Sequence, residues 1–119
     1  MLLVDDSTYV RRRLGRDLDR AGAEVTAVGS AADALGKLKE STFDVLVCDL
    51  RLPDTDGHAL IRTVREAGGP NAGIRAVAIT AHADDESRAR AHESGFDDYL
   101  PKLVAALLVP TVARLRQPR

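Results

Sequence analysis

Residues 45–57 read Val45-Leu46-Val47-Cys48-Asp49-Leu50-Arg51-Leu52-Pro53-Asp54-Thr55-Asp56-Gly57: an apolar run, an aspartate, then a polar turn closed by glycine. A short, unbroken apolar run rich in β-branched residues is expected of a strand buried on both faces of a parallel sheet, because a strand with one wet face alternates instead. Asp49 falls where that run stops. Working outward, similar runs occupy residues 1–4, 25–28 and 74–79, with a weaker fifth at Tyr99-Leu100. Thr26 and Arg75 interrupt the second and fourth of them.

Between the runs the period changes to that of helices. Val10, Leu14, Leu18 and Ala21 form one apolar stripe, with Ser7 as N-cap and Gly22 as stop. Ser30 with Asp33 three residues on resembles a capping box before Ala31, Ala34, Leu35 and Leu38. Leu60, Ile61, Val64 and Ala67 make a third stripe, opened by Gly57 and closed by Gly68-Gly69-Pro70. Asp84-Asp85-Glu86 start a fourth helix that stops near Gly95 and offers only Ala89 and Ala91 as anchors, so it is predicted to be the least firmly packed. A last helix carries Leu107, Leu108, Val112 and Leu115, with Pro110 expected in its first turn or at a kink. Five strands alternating with five helices predict right-handed crossovers and an open parallel sheet covered on both faces, a three-layer α/β fold.

A chain of 119 residues allows one compact domain. At this size roughly two thirds of the unfolded surface can be buried, enough for a core without disulfide or metal staples. The lone Cys48 cannot form an internal disulfide, which fits a reducing, cytoplasmic compartment, and its place inside a buried run makes it core. With 17 Lys and Arg against 18 Asp and Glu, bulk attraction to nucleic acid or a membrane surface is excluded, and no apolar run is long enough to span a bilayer. Asp5-Asp6 stand where a signal peptide would be basic, which argues against secretion.

In open parallel sheets ligands bind beyond the carboxyl ends of the strands. There the chain places Asp5-Asp6, Asp49, Thr80 and, after the fifth strand, Lys102. Three carboxylates gathered in one cleft repel by roughly 4 kcal/mol per close pair at an effective dielectric near 20. Either one stays protonated or a cation binds, and all-oxygen ligands suit Mg²⁺, with Mn²⁺ as an alternative. Lys102 and a divalent ion together leave positive charge for an anion such as a phosphoryl group, an arrangement suited to forming an aspartyl-phosphate.

The segments Val4-Asp5-Asp6-Ser7, Val47 through Gly57 as quoted, Ile79-Thr80-Ala81-His82-Ala83 and Gly95-Phe96-Asp97-Asp98-Tyr99-Leu100-Pro101-Lys102 resemble the receiver domains of two-component response regulators and hybrid histidine kinases. Motifs of this order and spacing cover essentially the whole chain, so the resemblance implies one receiver domain over residues 1–119. It further implies the flavodoxin-like sheet order 2-1-3-4-5. By resemblance Asp49 is the phosphoacceptor for a phosphohistidine, and Asp6 ligates Mg²⁺ directly. Asp5 would act on the metal through water, and the Arg51 carbonyl would complete the metal's protein ligands. Thr80 would be the switch hydroxyl and Lys102 the phosphoryl-pairing lysine. Tyr99 would be the aromatic switch whose ring turns inward once Thr80 has moved, and Arg51 with His82 the variable pair that sets the lifetime of the aspartyl-phosphate. The implied partners are a histidine kinase or histidine phosphotransfer domain, with an effector or a second copy meeting the fourth helix, fifth strand and fifth helix.

Two departures from the family pattern stand out. Leu103 follows Lys102 where Pro is usual, and Leu52 replaces the common Met before Pro53. Arg11-Arg12-Arg13 spread over more than half of a helix circumference and are expected to be solvated, with some of them available to an acidic partner; His58, His82 and His92 share no ligand spacing and are expected at the surface. A haloacid dehalogenase-type phosphatase would need Asp-x-Asp after the first strand and a cap, and a flavodoxin-like FMN carrier would need a phosphate loop and stacking rings. A phosphorylation-independent interaction module is opposed by the full set of Asp6, Asp49, Thr80 and Lys102. The pattern is that of a signalling domain rather than an enzyme, most like the receivers of hybrid kinases. Met1 opening directly on a strand is expected of a piece of a longer protein, with a free-standing regulator as the alternative, and the output is expected in another chain or another part of this one.

Overall fold

The computed structural model describes residues 1–81, 83–102 and 105–117. Strands β1 (Leu2–Val4), β2 (Thr26–Val28), β3 (Val45–Asp49), β4 (Arg75–Thr80) and β5 (Asp98–Pro101) alternate with helices α1 (Thr8–Arg20), α2 (Ala31–Glu40), α3 (Gly57–Glu66), α4 (Asp85–Ser94) and α5 (Ala105–Leu115). The sheet is parallel in the order β2-β1-β3-β4-β5. Val4 pairs with Cys48, so one step further along Asp5 comes level with Asp49. On the other side Asp49 pairs with Ile79, and Thr80 pairs with Pro101 just before Lys102. Register alone thus gathers the polar strand ends at one edge.

Every residue of β1 and β3 is buried, as their unbroken apolar runs require. The two-residue period of the strands divides the core between the sheet's faces. Leu2, Val4, Leu46 and Cys48 pack with side chains of α2, α3 and α4, while Leu3, Val45, Val47 and Val77 pack with Leu14, Leu18, Leu108, Val112 and Leu115 of α1 and α5. Each fully buried aliphatic side chain contributes roughly 1.5–3 kcal/mol relative to exposure.

The helix ends follow their sequence signals. Ser7 accepts from the Val10 N–H and Ser30 from the Asp33 N–H, while Asp56 and Asp84 cap α3 and α4 in the same way. Gly22 and Gly95, at φ 95° and 125°, take the left-handed positions that stop α1 and α4. Some expectations differ from what is seen. Ala67 and Ala89 are exposed, so α3 ends its apolar stripe at Val64, and α4 buries only Ala91 and Ser94. Of the two places expected for Pro110, the first turn is not the one taken, since it lies in the interior of α5. It sits on the wet side of the helix with Ala106 also exposed, so water can replace the hydrogen bond its missing N–H would have made. Leu107 is likewise exposed rather than part of the stripe.

His58 departs most from its reading as a surface residue, being only 6% exposed. Its Nδ1 lies 2.8 Å from Ser94 Oγ, and the Ser94 hydroxyl donates to the Arg90 carbonyl at 2.8 Å, so Nδ1 carries the hydrogen and donates to Ser94. The ring also meets Phe96 edge-on. Burial, with Arg90 and Arg62 against the opposing pull of Asp56, holds the imidazole below its ordinary pKa. Below about pH 6.5 the unfolded chain therefore takes up a proton that the folded chain refuses, and stability falls with pH through that window. Urea denaturation at about pH 7 and pH 5.5 is expected to show a smaller acid loss for His58→Leu than for the wild type. Equal losses would contradict this account of His58.

Candidate functional site

The polar edge is built by three loops. Asp5 follows β1 and is fully buried; its N–H donates to the Val28 carbonyl at 3.1 Å, and its Oδ1 accepts the Ser7 N–H at 2.9 Å. Asp6, one residue on, is exposed at the mouth. Asp49 ends β3 at 3% exposure, its Oδ1 accepting the Arg51 N–H at 3.1 Å. Lys102 follows β5, anchored by its N–H on the Thr80 carbonyl at 2.7 Å, and its ammonium reaches across the sheet edge to lie 2.7 Å from Asp49 Oδ2 and 2.9 Å from Asp5 Oδ2.

Carboxylate oxygens of Asp5, Asp6 and Asp49 lie within 4.8 Å of one another, a grouping that could hold a metal ion. Asp5 Oδ2 is buried beside Lys102 yet lacks a well-directed hydrogen bond, which leaves a lone pair for a cation. Three carboxylates against the Lys102 ammonium leave an excess of two negative charges, which a divalent ion matches. Burial, opposed by the bonds from Lys102 and the Arg51 N–H, leaves the Asp49 carboxyl above its ordinary pKa. For Lys102 burial pulls the other way, but its hydrogen bond to Asp49 and the adjacent Asp5 carboxylate prevail and raise its pKa, so the ammonium stays charged.

Gly57 explains how the β3–α3 loop stays close. A Cβ there would lie 2.6 Å from the Asp49 carbonyl oxygen and 3.0 Å from Leu50 Cα, so only glycine lets α3 begin against the end of β3. Asp54, in the same loop, accepts the Ala31 and Ala32 N–H groups at 3.0 and 2.9 Å and so ties the loop to the start of α2. Those bonds outweigh desolvation and hold its carboxyl below the ordinary pKa.

Tyr99, on β5, is 2% exposed, with the Arg88 guanidinium of α4 5.3 Å from its ring centroid. The structure thus already holds the ring in the buried position that the resemblance assigned to the activated state. Arg88, Ala89 and His92 face Phe96, Asp98 and Tyr99 across a groove of about 380 Å³ between α4 and β5. Asp98 pairs with Arg114 of α5 and stands 4.0 Å from Arg88, joining α4, β5 and α5 in one charge network.

The structure brings Asp5, Asp6, Asp49 and Lys102 together and sets Thr80 at the end of the neighbouring strand. The side chain of Arg51 is exposed, leaving its backbone as its link to the site through the N–H to Asp49. His82 and the Leu103 departure lie outside the described residues. Sequence reading missed Asp54, the crowding at Gly57, and Arg65, whose guanidinium donates to the carbonyls of Gly95, Ala72 and Ile74 and so fastens the C-terminal end of α4 to α3. Only the Asp-x-Asp-Gly run of the β3–α3 loop gave a hint of any of these.

A family model described as "Response regulator receiver domain" matches residues 1–110, and the chain belongs to that family. It is 40% identical to an uncharacterized 14.6 kDa protein of Leptolyngbya boryana, over 90% of this chain and 81% of that one. It is 35% identical to the DNA-binding transcriptional regulator NtrC of Klebsiella pneumoniae over 84% of this chain but only 21% of that one. The sensor histidine kinase RcsC of Salmonella typhimurium is 33% identical over 87% of this chain and 11% of its own length. Among solved structures, a putative response regulator from Chloroflexus aurantiacus superposes with a TM-score of 0.90 at 32% identity, covering 97% of this chain and 94% of that one. The sheet order and five helices are those of this receiver fold. Among the described residues, no helix is long and apolar enough to cross a membrane.

Proposed function

We propose that this receiver domain takes a phosphoryl group from a phosphohistidine onto Asp49. The observation that carries the reading is the buried Asp49 carboxylate, held by Lys102 at 2.7 Å beside Asp5 and Asp6. Attack by an Asp49 carboxylate oxygen forms the P–O bond as the P–N bond of the phosphohistidine breaks, and the imidazole nitrogen leaves with the electron pair. The Arg51 N–H on Oδ1 and Lys102 on Oδ2 orient the carboxylate. Mg²⁺, held by Asp5, Asp6, Asp49 and the Arg51 carbonyl, would neutralise charge building on the phosphoryl oxygens. Lys102 then turns from the carboxylate to a phosphoryl oxygen, and Thr80, at the end of β4, supplies a hydroxyl.

The output surface in this reading is α4, β5 and α5. With only Ala91 and Ser94 buried, α4 is pinned at its C-terminal end by His58 and Arg65 and buries no residue over 85–90, toward the Thr80 end. A bias of a few kcal/mol toward a shifted α4 is enough to switch the population. Partners are a kinase or phosphotransfer domain on the input side and an effector or second copy on the output side. Beryllofluoride with Mg²⁺ is expected to change amide exchange across residues 83–108. Protection confined to the carboxylate pocket would contradict the switching surface.

A further inference from the structure

Arg11 belongs to a run of three arginines, but the structure separates it from the others. Arg12 and Arg13 are exposed, whereas Arg11 is half-buried and turned toward the backbone at the end of β1. Its Nη1 donates to the Asp5 backbone carbonyl at 2.8 Å and its Nη2 to Thr8 Oγ1 at 3.2 Å. The Asp5 N–H and Oδ1 are already committed to Val28 and Ser7, so the carbonyl of the peptide joining Asp5 to Asp6 is held from α1 by this one guanidinium. Gly29, just after β2, makes the space. A Cβ there would lie 3.1 Å from Arg11 Nη1 and 3.7 Å from the guanidinium carbon. Its φ is not among the positive ones, so Gly29 contributes room rather than an unusual backbone conformation.

We propose that Arg11 is a positioning residue for the divalent cation: it fixes the Asp5–Asp6 peptide so that the two carboxylates are presented together, and Gly29 acts through it. The inference rests on reading the acidic pocket as a Mg²⁺ site. Charge and geometry push in opposite directions here, which makes the role measurable. A guanidinium repels a cation, so if charge were its main influence, removing it would tighten Mg²⁺ binding. Partners standing behind a metal ligand typically change affinity 10–100-fold when removed, and always toward weaker binding if orientation is what they supply.

The test is calorimetric titration of the metal-free domain with Mg²⁺ alone, for wild type, Arg11→Met, Arg11→Lys, Gly29→Ala and the Arg11→Met/Gly29→Ala pair, alongside thermal melts without metal. Arg11→Met is expected to weaken Mg²⁺ binding about tenfold, the lower end of that range. Arg11→Lys keeps the charge but cannot span both acceptors, and is expected to be weaker than wild type. Gly29→Ala is expected to weaken binding by less than Arg11→Met. The double variant should bind no worse than Arg11→Met, because the methyl group added at Gly29 acts only by displacing the guanidinium. Mg²⁺ binding equal to or tighter than wild type in Arg11→Met, or additive losses in the pair, would overturn the proposal. Should Arg11→Met melt too low to titrate, Arg11→Lys and Gly29→Ala decide, and unchanged affinity in both overturns it. A wild type that binds no Mg²⁺ brings down the metal-site reading and this inference together; binding wild type with unaffected variants removes only the role of Arg11.

Discussion

Lys102→Met is expected to destabilise the metal-free domain by about 2–4 kcal/mol at neutral pH, and the loss should shrink on acidification. Removing one partner of a buried ion pair typically costs about 3–5 kcal/mol, and the lower range applies because Lys102 keeps 19% of its side chain exposed. Without the ammonium, Asp5 and Asp49 face each other at the sheet edge with no counter-charge between them. Burial and mutual repulsion then push a carboxyl pKa up in the folded state, above its unfolded value. A group raised in this way contributes stability that is present at low pH and lost as pH rises, so the variant should gain on wild type between about pH 7 and pH 5. Mg²⁺ should restore stability at pH 7 by supplying the missing charge. Urea denaturation at both pH values, with and without Mg²⁺, checks each part. A variant as stable as wild type at pH 7 without metal would mean that Lys102 does not compensate the carboxylates.

Gly57→Ala has the second largest expected effect. A methyl group at 2.6 Å from the Asp49 carbonyl oxygen and 3.0 Å from Leu50 Cα cannot be absorbed by a flexible side chain, because both neighbours are backbone. Overpacking of this kind costs about 1–3 kcal/mol, and for a domain of this size each kcal/mol lowers Tm by roughly 4 °C. Since the atom displaced belongs to Asp49 itself, the same change should weaken beryllofluoride binding even where the variant remains folded. Circular-dichroism melts and a beryllofluoride titration measure the two effects. An unchanged Tm would show that α3 can withdraw from β3 without cost.

The strands and their parallel arrangement were legible because burial on both faces leaves an unbroken apolar run, as in residues 45–48, and such runs are local in sequence; the order of the strands came from the resemblance to receiver domains. Helix starts were legible for the same reason: Ser7, Ser30 and Asp84 cap within three residues of themselves. The site's carboxylates followed from topology, since strand ends converge. What escaped depends on contacts between distant segments. His58 reads as a polar residue on α3 until Ser94, 36 residues later, arrives to accept its hydrogen. Arg11 looks like one of three solvated arginines until the Asp5 carbonyl and Gly29 come into view. Asn71 does the same for the far side of the molecule, giving its Nδ2 to the Leu38 and Ser41 carbonyls and taking the Phe43 N–H. Ala89 and Leu107 differ for the opposite reason: helical periodicity predicts them on the apolar stripes, where α4 and α5 instead turn those positions to water.

The most direct test of the central claim is mass spectrometry of the domain after incubation with acetyl phosphate, with Mg²⁺ and with chelator, followed by peptide mapping. A single acid-labile phosphoryl group is expected on the peptide carrying Asp49, dependent on Mg²⁺ and absent from Asp49→Asn. A phosphoryl group that forms equally without metal, or that persists in Asp49→Asn, would contradict it.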